Sequence, residues 1–409
     1  MVWCADVTGG RFIPQNGAVE RYDVVMVGGG PAGAVAARAA AQRGARVLVV
    51  ERSPQRPPRC TGLVGPRLLD LLSVPSEFVL RRIRLLRVHA PGGRVVEFVS
   101  SHPKGYVLDR SALDRWLLDQ AGEAGAVVRA PVAAVGRTDH VLHTTAGSVE
   151  YEVLIAADGA MSAVRWWEGL PPPAEILAGV QATVVPPTLD GGGVEVHVGQ
   201  EVAPGGLAWV VPAGEGEARV GMLTSARRDA KALLSRFLER RCPNCRVLRR
   251  ESGLVPIGPS PRTVGAGMLL VGDAAGQVKP LSGGGLLFGA LSARIAGEIA
   301  AQGGRTLPSY EASWRTAVGE EIAFGLRARR LFLSLGEEDL DHMVLSLSHP
   351  GIARLVAAKG DIDRPSRLVR AALARPGMWA TLIPLVRILG GWRAVQRISR
   401  GLPADTEPG

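Results

Sequence analysis

The chain has 409 residues, about twice the commonest domain size, which predicts two or three domains or one large α/β core with insertions. Hydrophobic residues make up 46% and charged residues 21%, as in a globular enzyme, and this composition excludes a disordered chain. The formal net charge is +10, but only four of the 48 basic residues are lysines, and the arginines are scattered rather than clustered in a short run. This pattern argues against nucleic acid as a partner and favours phosphates or anionic lipid as ligands.

Cysteine is sparse, and the first residues show no signal-peptide pattern. A secreted disulfide scaffold is therefore not expected, and we predict a cytoplasmic protein. No uninterrupted apolar run reaches the length of about 18 residues that a membrane-spanning helix needs.

The first element in chain order is a strand, turn and helix that follow an N-terminal extension, residues 1–20. Residues 22–27 form an apolar, β-branched run, the sequence GGGPAG follows, and an Ala-rich stretch at 34–42 contains no helix breaker. A second apolar run at 46–50 ends in Glu51. These features predict a βαβ unit of about 30 residues in a parallel sheet.

The glycine turn of this unit matches the dinucleotide fingerprint GxGxxG at Gly28, Gly30 and Gly33. Gly28 permits the tight turn, Gly30 lets the backbone approach a pyrophosphate, and Gly33 lets helix and strand pack closely. The helix N-terminus offers unpaired N–H groups to the phosphates. Glu51 is placed to accept hydrogen bonds from ribose hydroxyls.

Downstream of this unit, a short helix is predicted from Pro66 to Leu72 and a hairpin over 83–100. Apolar residues at helical spacing predict a helix over 111–123, with Ser111 as its N-cap. Three short strands are predicted after this helix, at 126–129, 141–145 and 153–156.

The second half of the chain changes from strands to helices. Residues 175–225 are strand-like with Gly-rich turns, and 230–240 is a predicted helix. An apolar strand at 268–271 leads through another Gly-rich turn into an Ala-rich helix at 286–301. From Tyr310 onward the sequence has no strand signals and is predicted to be helical.

Two further segments resemble motifs of the two-dinucleotide-binding-domain flavoprotein superfamily. One is Asp158-Gly159 and the other is Gly272-Asp273, which ends a predicted strand. The resemblance implies that Gly272-Asp273 contacts the ribityl chain of FAD. Because three matched segments occur in the expected order, FAD is the predicted cofactor.

The segment after Asp273 resembles the flavin-proximal loop of the geranylgeranyl reductase family of FAD-dependent oxidoreductases. This loop includes Lys279-Pro280 and the triplet Gly283-Gly284-Gly285. Similarity to the same family extends over roughly residues 21 to 390. Four other segments carry it: Cys60-Thr61-Gly62, Leu108-Asp109-Arg110, Trp209-Val210-Val211-Pro212 and Gly360-Asp361-Ile362-Asp363.

This resemblance implies an enzyme that reduces carbon–carbon double bonds of a geranylgeranyl or polyprenyl chain, with the side chain of menaquinone among the candidate substrates. Reduced FAD would deliver a hydride to one alkene carbon, and a proton would reach the other. By the same resemblance Arg110 contacts FAD, the backbone N–H groups of Gly283 to Gly285 face the pyrimidine side of the flavin, and Cys60 lies near the reacting alkene. The electron donor stays open between NADPH, ferredoxin and a deazaflavin.

The predicted site has three groups of residues and no metal. Catalytic roles are assigned to Cys60, Gly283 and Gly284. Substrate-binding roles are assigned to Trp209, Pro212 and Leu207, which stands where the family usually has an aromatic residue. Cofactor-binding roles are assigned to Gly28, Gly30, Pro31, Ala32, Gly33, Glu51, Arg52, Cys60, Gly62, Arg110, Asp158, Gly159, Gly272, Asp273, Pro280, Gly283, Gly284 and Gly285.

Several of these residues admit another interpretation. Cys60 is either a proton donor or redox-tuning group, or a small buried hydrophobe. Trp209 either lines the substrate tunnel or belongs to the sheet core. Cys242 and Cys245 form a CxxC without a second ligand pair, which favours a disulfide or a surface thiol pair over zinc. Residues 377–400 combine apolar residues with arginines and could lie on a membrane surface, cap the tunnel or pack as core.

Other reactions occur on related flavoproteins. A flavin monooxygenase or halogenase shares the scaffold, and Lys104 is the one candidate for a halogenase lysine in the first half of the chain. Electron transfer to quinone through an iron–sulfur cluster is excluded, because no cysteine follows Cys245.

The predicted fold class is α/β, with a Rossmann-like FAD-binding domain, an inserted antiparallel-sheet substrate domain and a C-terminal helical region. We expect a monomer or weak oligomer whose partners are the prenyl substrate and the electron donor. The predicted domain boundaries are 21–80, 105–165 and 260–305 for FAD binding, 81–104 and 166–259 for substrate binding, and 306–409 for the helical region.

Overall fold

The computed structural model describes residues 19–185 and 192–375. The strands in these ranges are β1 (Glu20–Val27), β2 (Val47–Val50), β3 (Leu63–Val64), β4 (Val79–Ile83), β5 (Leu85–His89), β6 (Val95–Val99), β7 (Gly105–Leu108), β8 (Val127–Arg129), β9 (Ala134–Thr138), β10 (Val141–Thr144), β11 (Gly147–Ala156), β12 (Glu175–Val185), β13 (Val194–His197), β14 (Leu207–Pro212), β15 (Ala218–Thr224), β16 (Arg246–Ile257), β17 (Val264–Gly265) and β18 (Met268–Leu270). The α-helices are α1 (Pro31–Ala41), α2 (Pro66–Leu72), α3 (Arg110–Glu123), α4 (Ala163–Trp167), α5 (Ala230–Arg241), α6 (Leu286–Ala300), α7 (Pro308–Trp314), α8 (Glu320–Ser334), α9 (Glu337–Leu347), α10 (Pro350–Lys359) and α11 (Pro365–Leu373).

The first sheet has a parallel centre in the order β18, β11, β1, β2, β8. The strand β2 is a continuous apolar run because both faces of the sheet are covered, and all four of its residues are buried. Helices α1 and α6 pack closely on one face: a side chain at Gly297 would lie 2.2 Å from the carbonyl oxygen of Ala36. This sheet and its two helices hold the glycine turn at the carboxyl end of β1.

The second sheet has seven strands in the order β16, β12, β15, β14, β13, β5, β6 and is antiparallel except for the β13–β5 pair. One face packs under α5, where Val220 and Met222 of β15 are buried. The opposite face carries Leu223, which packs with Val278 of the segment after β18. The second sheet therefore touches the predicted flavin loop directly.

The helical region is anchored on both sheets. Trp314 of α7 is fully buried and donates a hydrogen bond to Thr263 Oγ1 at 2.9 Å, next to the first sheet. A π-helical turn joins α7 to α8, where the buried Arg329 makes a two-point ion pair with Glu175 of β12. The helices thus span from one sheet to the other. No helix in the two described ranges is long and apolar enough to cross a membrane.

The structure differs from the sequence-based expectations in several elements: α3 begins differently, and β3, β4, β7, β9, β17 and α4 were not predicted. The N-cap of α3 is Asp109 and not Ser111: the Asp109 carboxylate accepts hydrogen bonds from the backbone N–H groups of Ser111 and Ala112 at 2.9 and 3.0 Å. A carboxylate one residue before the helix satisfies two unpaired donors, so Arg110 already has helical geometry. The strand β9 was not predicted, because its five residues include a glycine and an arginine and lack a continuous apolar run.

A polar cluster lies beneath α5 in the second sheet. The rings of His89 and His197 stack with their centroids 4.0 Å apart. Glu195 accepts two hydrogen bonds from Arg241, at 2.5 and 2.7 Å, and lies 3.2 Å from His197 Nε2. Burial and the neighbouring His197 lower the pKa of His89 to about 4. Burial alone would raise the pKa of Glu195, but its hydrogen bonds with His197 and Arg241 lower it to about 2.

The depressed pKa of His89 predicts an acid-sensitive fold. Between about pH 4 and pH 6.5 the unfolded chain binds a proton at this histidine that the native protein does not, so acidification costs up to about 3 kcal/mol of stability. The contribution is complete above pH 6.5. We expect His89→Gln to remove this loss in urea unfolding measured at pH 7.5, 6.0 and 4.5. The control is His102→Gln at an exposed histidine, and the same pH dependence in both variants would contradict the prediction.

Candidate active site

The glycine turn between β1 and α1 leaves no room for side chains at two of its three positions. Gly28 has φ +104°, and a Cβ there would lie 2.4 Å from the carbonyl oxygen of Ala157. A Cβ at Gly33 would lie 1.9 Å from the carbonyl oxygen of Gly28. Gly30 instead faces open space, with nothing within 4 Å of its Cβ position. The turn is thus closed on its protein side and open where a pyrophosphate would meet the first N–H groups of α1.

Glu51 is fixed at the end of β2 beside this turn. Its two carboxylate oxygens accept hydrogen bonds from the backbone N–H groups of Gly29, at 2.7 Å, and Ser53, at 2.6 Å. The neighbouring Arg52 is exposed. Pro31 and Ala32 form the first turn of α1.

A second predicted segment lies at the end of β11. One carboxylate oxygen of Asp158 accepts a hydrogen bond from Val164 N at 3.2 Å, while the other is buried with no hydrogen-bond partner among the described residues. Gly159 adopts a left-handed conformation, with φ +86°. Arg165 donates hydrogen bonds to the carbonyl oxygens of Ala160, at 3.0 Å, and Ala274, at 2.8 Å. The buried guanidinium therefore joins this segment to the one after β18.

The third segment begins at Gly272, whose Cβ position is only 2.8 Å from the Ala32 side chain at the start of α1. Asp273 is solvent-accessible, yet the protein around it desolvates the carboxyl and raises its pKa, while Arg110 opposes this shift. Both properties are those of a carboxylate in the wall of a recess. Gln277 holds the segment by accepting a hydrogen bond from Gly272 N at 2.8 Å.

The loop after this segment is a tight turn. Gly283 N donates to the carbonyl oxygen of Lys279 at 2.8 Å, and Lys279 N donates to that of Gly284 at 3.0 Å. Pro280 is buried against Gly325 of α8. The backbone N–H groups of Gly284 and Gly285 donate to no group of the described residues. Two unpaired donors at the start of α6 suit a ligand that develops negative charge.

Cys60 interacts electrostatically with two guanidinium groups. Burial lowers the pKa of Arg110, but the nearby Cys60 and Asp114 raise it by more. Arg219 interacts electrostatically with Cys60 and donates a hydrogen bond to the carbonyl oxygen of Thr61 at 2.5 Å. The loop of Cys60 therefore lies near two cationic side chains.

Arg219 and Asp114 were not among the residues predicted from sequence. Asp114 holds Arg110 in a two-point ion pair, with both N–O distances 2.9 Å. A sequence signal existed for each: Asp114 lies four positions after Arg110 on a helix, and Arg219 interrupts an otherwise apolar strand.

The predicted substrate residues divide between the two faces of the second sheet. Trp209 pairs with Gly221 of β15, and a side chain at Gly221 would lie 2.7 Å from the indole ring. Leu207 shares this face by strand alternation, whereas Pro212 falls on the face covered by α5. The indole nitrogen of Trp209 is buried without a hydrogen-bond partner among the described residues.

One face of β15 brings the separate parts together. Arg219, Gly221 and Leu223 alternate onto this face. Arg219 contacts the loop of Cys60, Gly221 supports Trp209, and Leu223 is the nearest side chain to the Cβ position of Gly283. From Arg219 to Leu223 the strand rises about 13 Å. The loop of Cys60 and the loop of Gly283 therefore lie at opposite ends of one strand face, with Trp209 between them.

A buried ion pair connects the loop from Lys279 to Gly285, which we call the glycine loop, to the helical region. Lys279 Nζ donates a hydrogen bond to Asp363 Oδ1 at 2.9 Å, and Asp363 is only 1% exposed. The two residues belong to two segments that the sequence singled out separately.

The other predicted residues lie away from this site or outside the described ranges. Cys242 is buried and Cys245 half-buried, and they form no disulfide within the part of the chain that the structure describes. Residues 377–400 lie outside the described residues.

The contrast between Gly33 and Gly30 gives a test of the cofactor cradle. Gly33→Ala forces a Cβ against backbone and is expected to destabilise the protein by about 2–3 kcal/mol. Gly30→Ala meets no protein atom and keeps an ordinary φ of −67°, so we expect unchanged stability without cofactor but FAD binding weakened roughly tenfold or more. Urea unfolding and FAD titration measure the two effects. Wild-type FAD affinity in Gly30→Ala would show that the cofactor lies elsewhere.

Comparisons with known proteins agree with this geometry. Residues 23–55 match the family model of FAD dependent oxidoreductases, and residues 175–255 match that of the geranylgeranyl reductase catalytic domain. The chain is 37% identical to digeranylgeranylglycerophospholipid reductase 2 of Methanothermobacter thermautotrophicus over 80% of its own length and 92% of that protein. It is 34% identical to the digeranylgeranylglycerophospholipid reductase of Methanothrix thermoacetophila over 82% of its length and 93% of that protein.

Solved structures confirm the predicted fold class. A geranylgeranyl bacteriochlorophyll reductase-like protein from Thermoplasma acidophilum superposes with a TM-score of 0.75 and 25% identity, over 87% of this chain and 99% of that one. An anhydrotetracycline hydroxylase from Streptomyces rimosus, at 22% identity and a TM-score of 0.62 over 82% of this chain and 75% of its own, shares the fold alone. The chain is thus an FAD-dependent enzyme, and it belongs to the geranylgeranyl reductase family.

Proposed function

We propose that the enzyme saturates carbon–carbon double bonds of a prenyl chain carried on a lipid or a diphosphate, with the menaquinone side chain among the candidates. The observation that supports this most is one face of β15, which has a thiol near two guanidiniums at one end, the indole of Trp209 in the middle, and backbone donors unpaired among the described residues at the other end. Relatives named as digeranylgeranylglycerophospholipid reductases support a geranylgeranyl chain as the reacting group.

The chain's own residues account for the proton and for water exclusion. Bound FAD, once reduced, supplies the hydride that adds to one alkene carbon. Cys60 Sγ is placed to release a proton to the other carbon, and Arg110 and Arg219 stabilise the negative charge that this leaves on sulfur. Trp209 and Leu223 supply an apolar wall, which suits a hydrocarbon substrate and keeps water from the reacting atoms. The thiolate regains its proton from solvent after the product leaves.

We also propose the domain roles predicted above: residues 21–80, 105–165 and 260–305 bind FAD, residues 81–104 and 166–259 bind substrate, and residues 306–409 close the site. The identity of the electron donor is left open between NADPH, ferredoxin and a deazaflavin.

The halogenase alternative gains no support from its candidate lysine. Lys104 is half-buried, and its ammonium donates a hydrogen bond to the carbonyl oxygen of Ala358, in α10, at 3.1 Å. Its charge is therefore directed at the helical region and not at the glycine loop.

The reaction is tested by anaerobic incubation of dithionite-reduced, FAD-loaded enzyme with geranylgeranyl diphosphate and with digeranylgeranylglyceryl phosphate. We expect mass spectrometry to show a gain of two hydrogens for each double bond reduced. No mass gain with either substrate would contradict the proposed function. Rapid oxygen consumption with an aromatic substrate would instead support a monooxygenase.

Cys60 is tested by replacement with Ser and with Ala. Loss of a positioned general acid is expected to lower kcat by about 100-fold or more, while the flavin absorbance shows that FAD stays bound. Cys245→Ser is a matched control, because this half-buried thiol lies away from the candidate site. Wild-type turnover in both Cys60 variants would assign the thiol to packing.

A further inference from the structure

Three arginines converge where the helical region meets the first turn of α2. Arg67 lies in that turn, Arg364 directly precedes α11, and Arg367 lies in the first turn of α11. Burial lowers the pKa of Arg364, and the charges of Arg67 and Arg367 lower it further. The three guanidiniums, which we call the arginine cluster, are thus close enough to repel one another.

Backbone packing brings these residues together. A side chain at Gly65 would lie 2.2 Å from an Asp363 carboxylate oxygen and 2.7 Å from an Ile362 methyl group, so only glycine allows this approach. Arg67 follows Gly65 by two positions, and Arg364 follows Asp363 by one. Asp363 is paired with Lys279 of the glycine loop, so the cluster lies next to the residue that anchors this loop.

The hydrogen bonds that the carboxylates of this region accept come from groups other than the three guanidiniums. Asp361 accepts hydrogen bonds from the backbone N–H groups of Asp363 and Arg364, at 2.8 and 3.3 Å. Glu321 accepts one from the Ser366 hydroxyl. Asp361 and Glu321 still offset part of the positive charge on Arg364.

Among the residues that the structure describes, none of the three guanidiniums of the cluster has a hydrogen bond or ion pair. Arg67 and Arg364 are half-buried and Arg367 is exposed. Like charges that are partly desolvated and unpaired raise the free energy of the protein unless an anion neutralises them. Planar guanidiniums match the oxygens of a phosphate or diphosphate in two-point contacts.

We propose that the arginine cluster binds the phosphate or diphosphate head of the prenyl substrate. This inference rests on the proposed function for the identity of the attached chain. The strand β3 leads from the Cys60 loop into α2, so one short segment carries the reacting thiol at one end and the arginine cluster at the other. A substrate held by its head at the cluster therefore extends its apolar chain along this segment toward Cys60.

The test compares geranylgeranyl diphosphate with uncharged geranylgeraniol as substrates of the FAD-loaded enzyme. For Arg67→Gln, Arg364→Gln and Arg367→Gln we expect the ratio of the two kcat/KM values, diphosphate over alcohol, to fall about tenfold each. Arg305→Gln should keep the wild-type ratio, because Arg305 is an exposed arginine in the turn between α6 and α7 with no partner among the described residues. An unchanged ratio in all three cluster variants would overturn the proposal.

Binding of inorganic diphosphate, measured by calorimetry on the FAD-loaded protein, separates this inference from the reaction. One outcome is that no prenyl compound is reduced, but diphosphate binds to the wild type and not to the variant that combines all three Arg→Gln replacements. This outcome would support the anion site and contradict the proposed function. The other outcome is that both substrates are reduced and the ratio of their kcat/KM values is the same in wild type and variants. This outcome would support the proposed reaction and contradict the anion site.

Two further measurements distinguish loss of the anion site from misfolding and from membrane binding. Replacement of each arginine by lysine keeps the charge and should retain most of the substrate preference, whereas a variant that has merely misfolded would lose flavin absorbance. Loss of binding to phosphatidylglycerol vesicles without any change in the substrate ratio would assign the cluster to a membrane surface and overturn the proposal.

Discussion

The site depends on close contacts between chain segments around the first turn of α1. Positions 28, 33 and 272 each place an absent Cβ within 3 Å of another group, and the groups they meet belong to the residue after β11, the glycine turn itself and the Ala32 side chain of α1. Three segments far apart in sequence can share one recess only because none of them carries a side chain at these points. Arg165 then locks two of the segments together through carbonyl oxygens, which fixes their relative position without filling the recess.

The second sheet contributes to the chemistry through one strand face. On β15, an arginine, a glycine and a leucine alternate toward the recess, while the residues between them pack under α5. Period-two alternation therefore divides the strand into a structural face and a reactive face. The same rule explains why Trp209 lies on the face of the sheet that carries Arg219, whereas Pro212, three positions later, lies on the opposite face. Arg329 and Trp314 anchor the helices on different sheets.

The features that could be predicted from sequence are those that a single residue type enforces locally. Gly28 and Gly33 were recognisable because no other residue tolerates their contacts, and Glu51 because it ends a strand at a fixed distance from them. The environment of Cys60 was not recognisable, since Arg219 comes from 158 positions away and only sheet pairing brings it to Thr61. The N-cap of α3 was misassigned because Asp109 and Ser111 are both good caps, and only the backbone geometry distinguishes them.

The pair between Lys279 and Asp363 has a consequence for redox energetics. In the proposed site the lysine belongs to the loop whose glycines face the cofactor, and its counter-charge comes from 84 positions downstream. An uncompensated ammonium at that point would favour a negatively charged, reduced ring and raise the reduction potential. With Asp363 in place the two charges cancel. In the proposed site the electron affinity of the bound flavin is therefore set partly by the helical region, and removing that region would change the driving force for reduction.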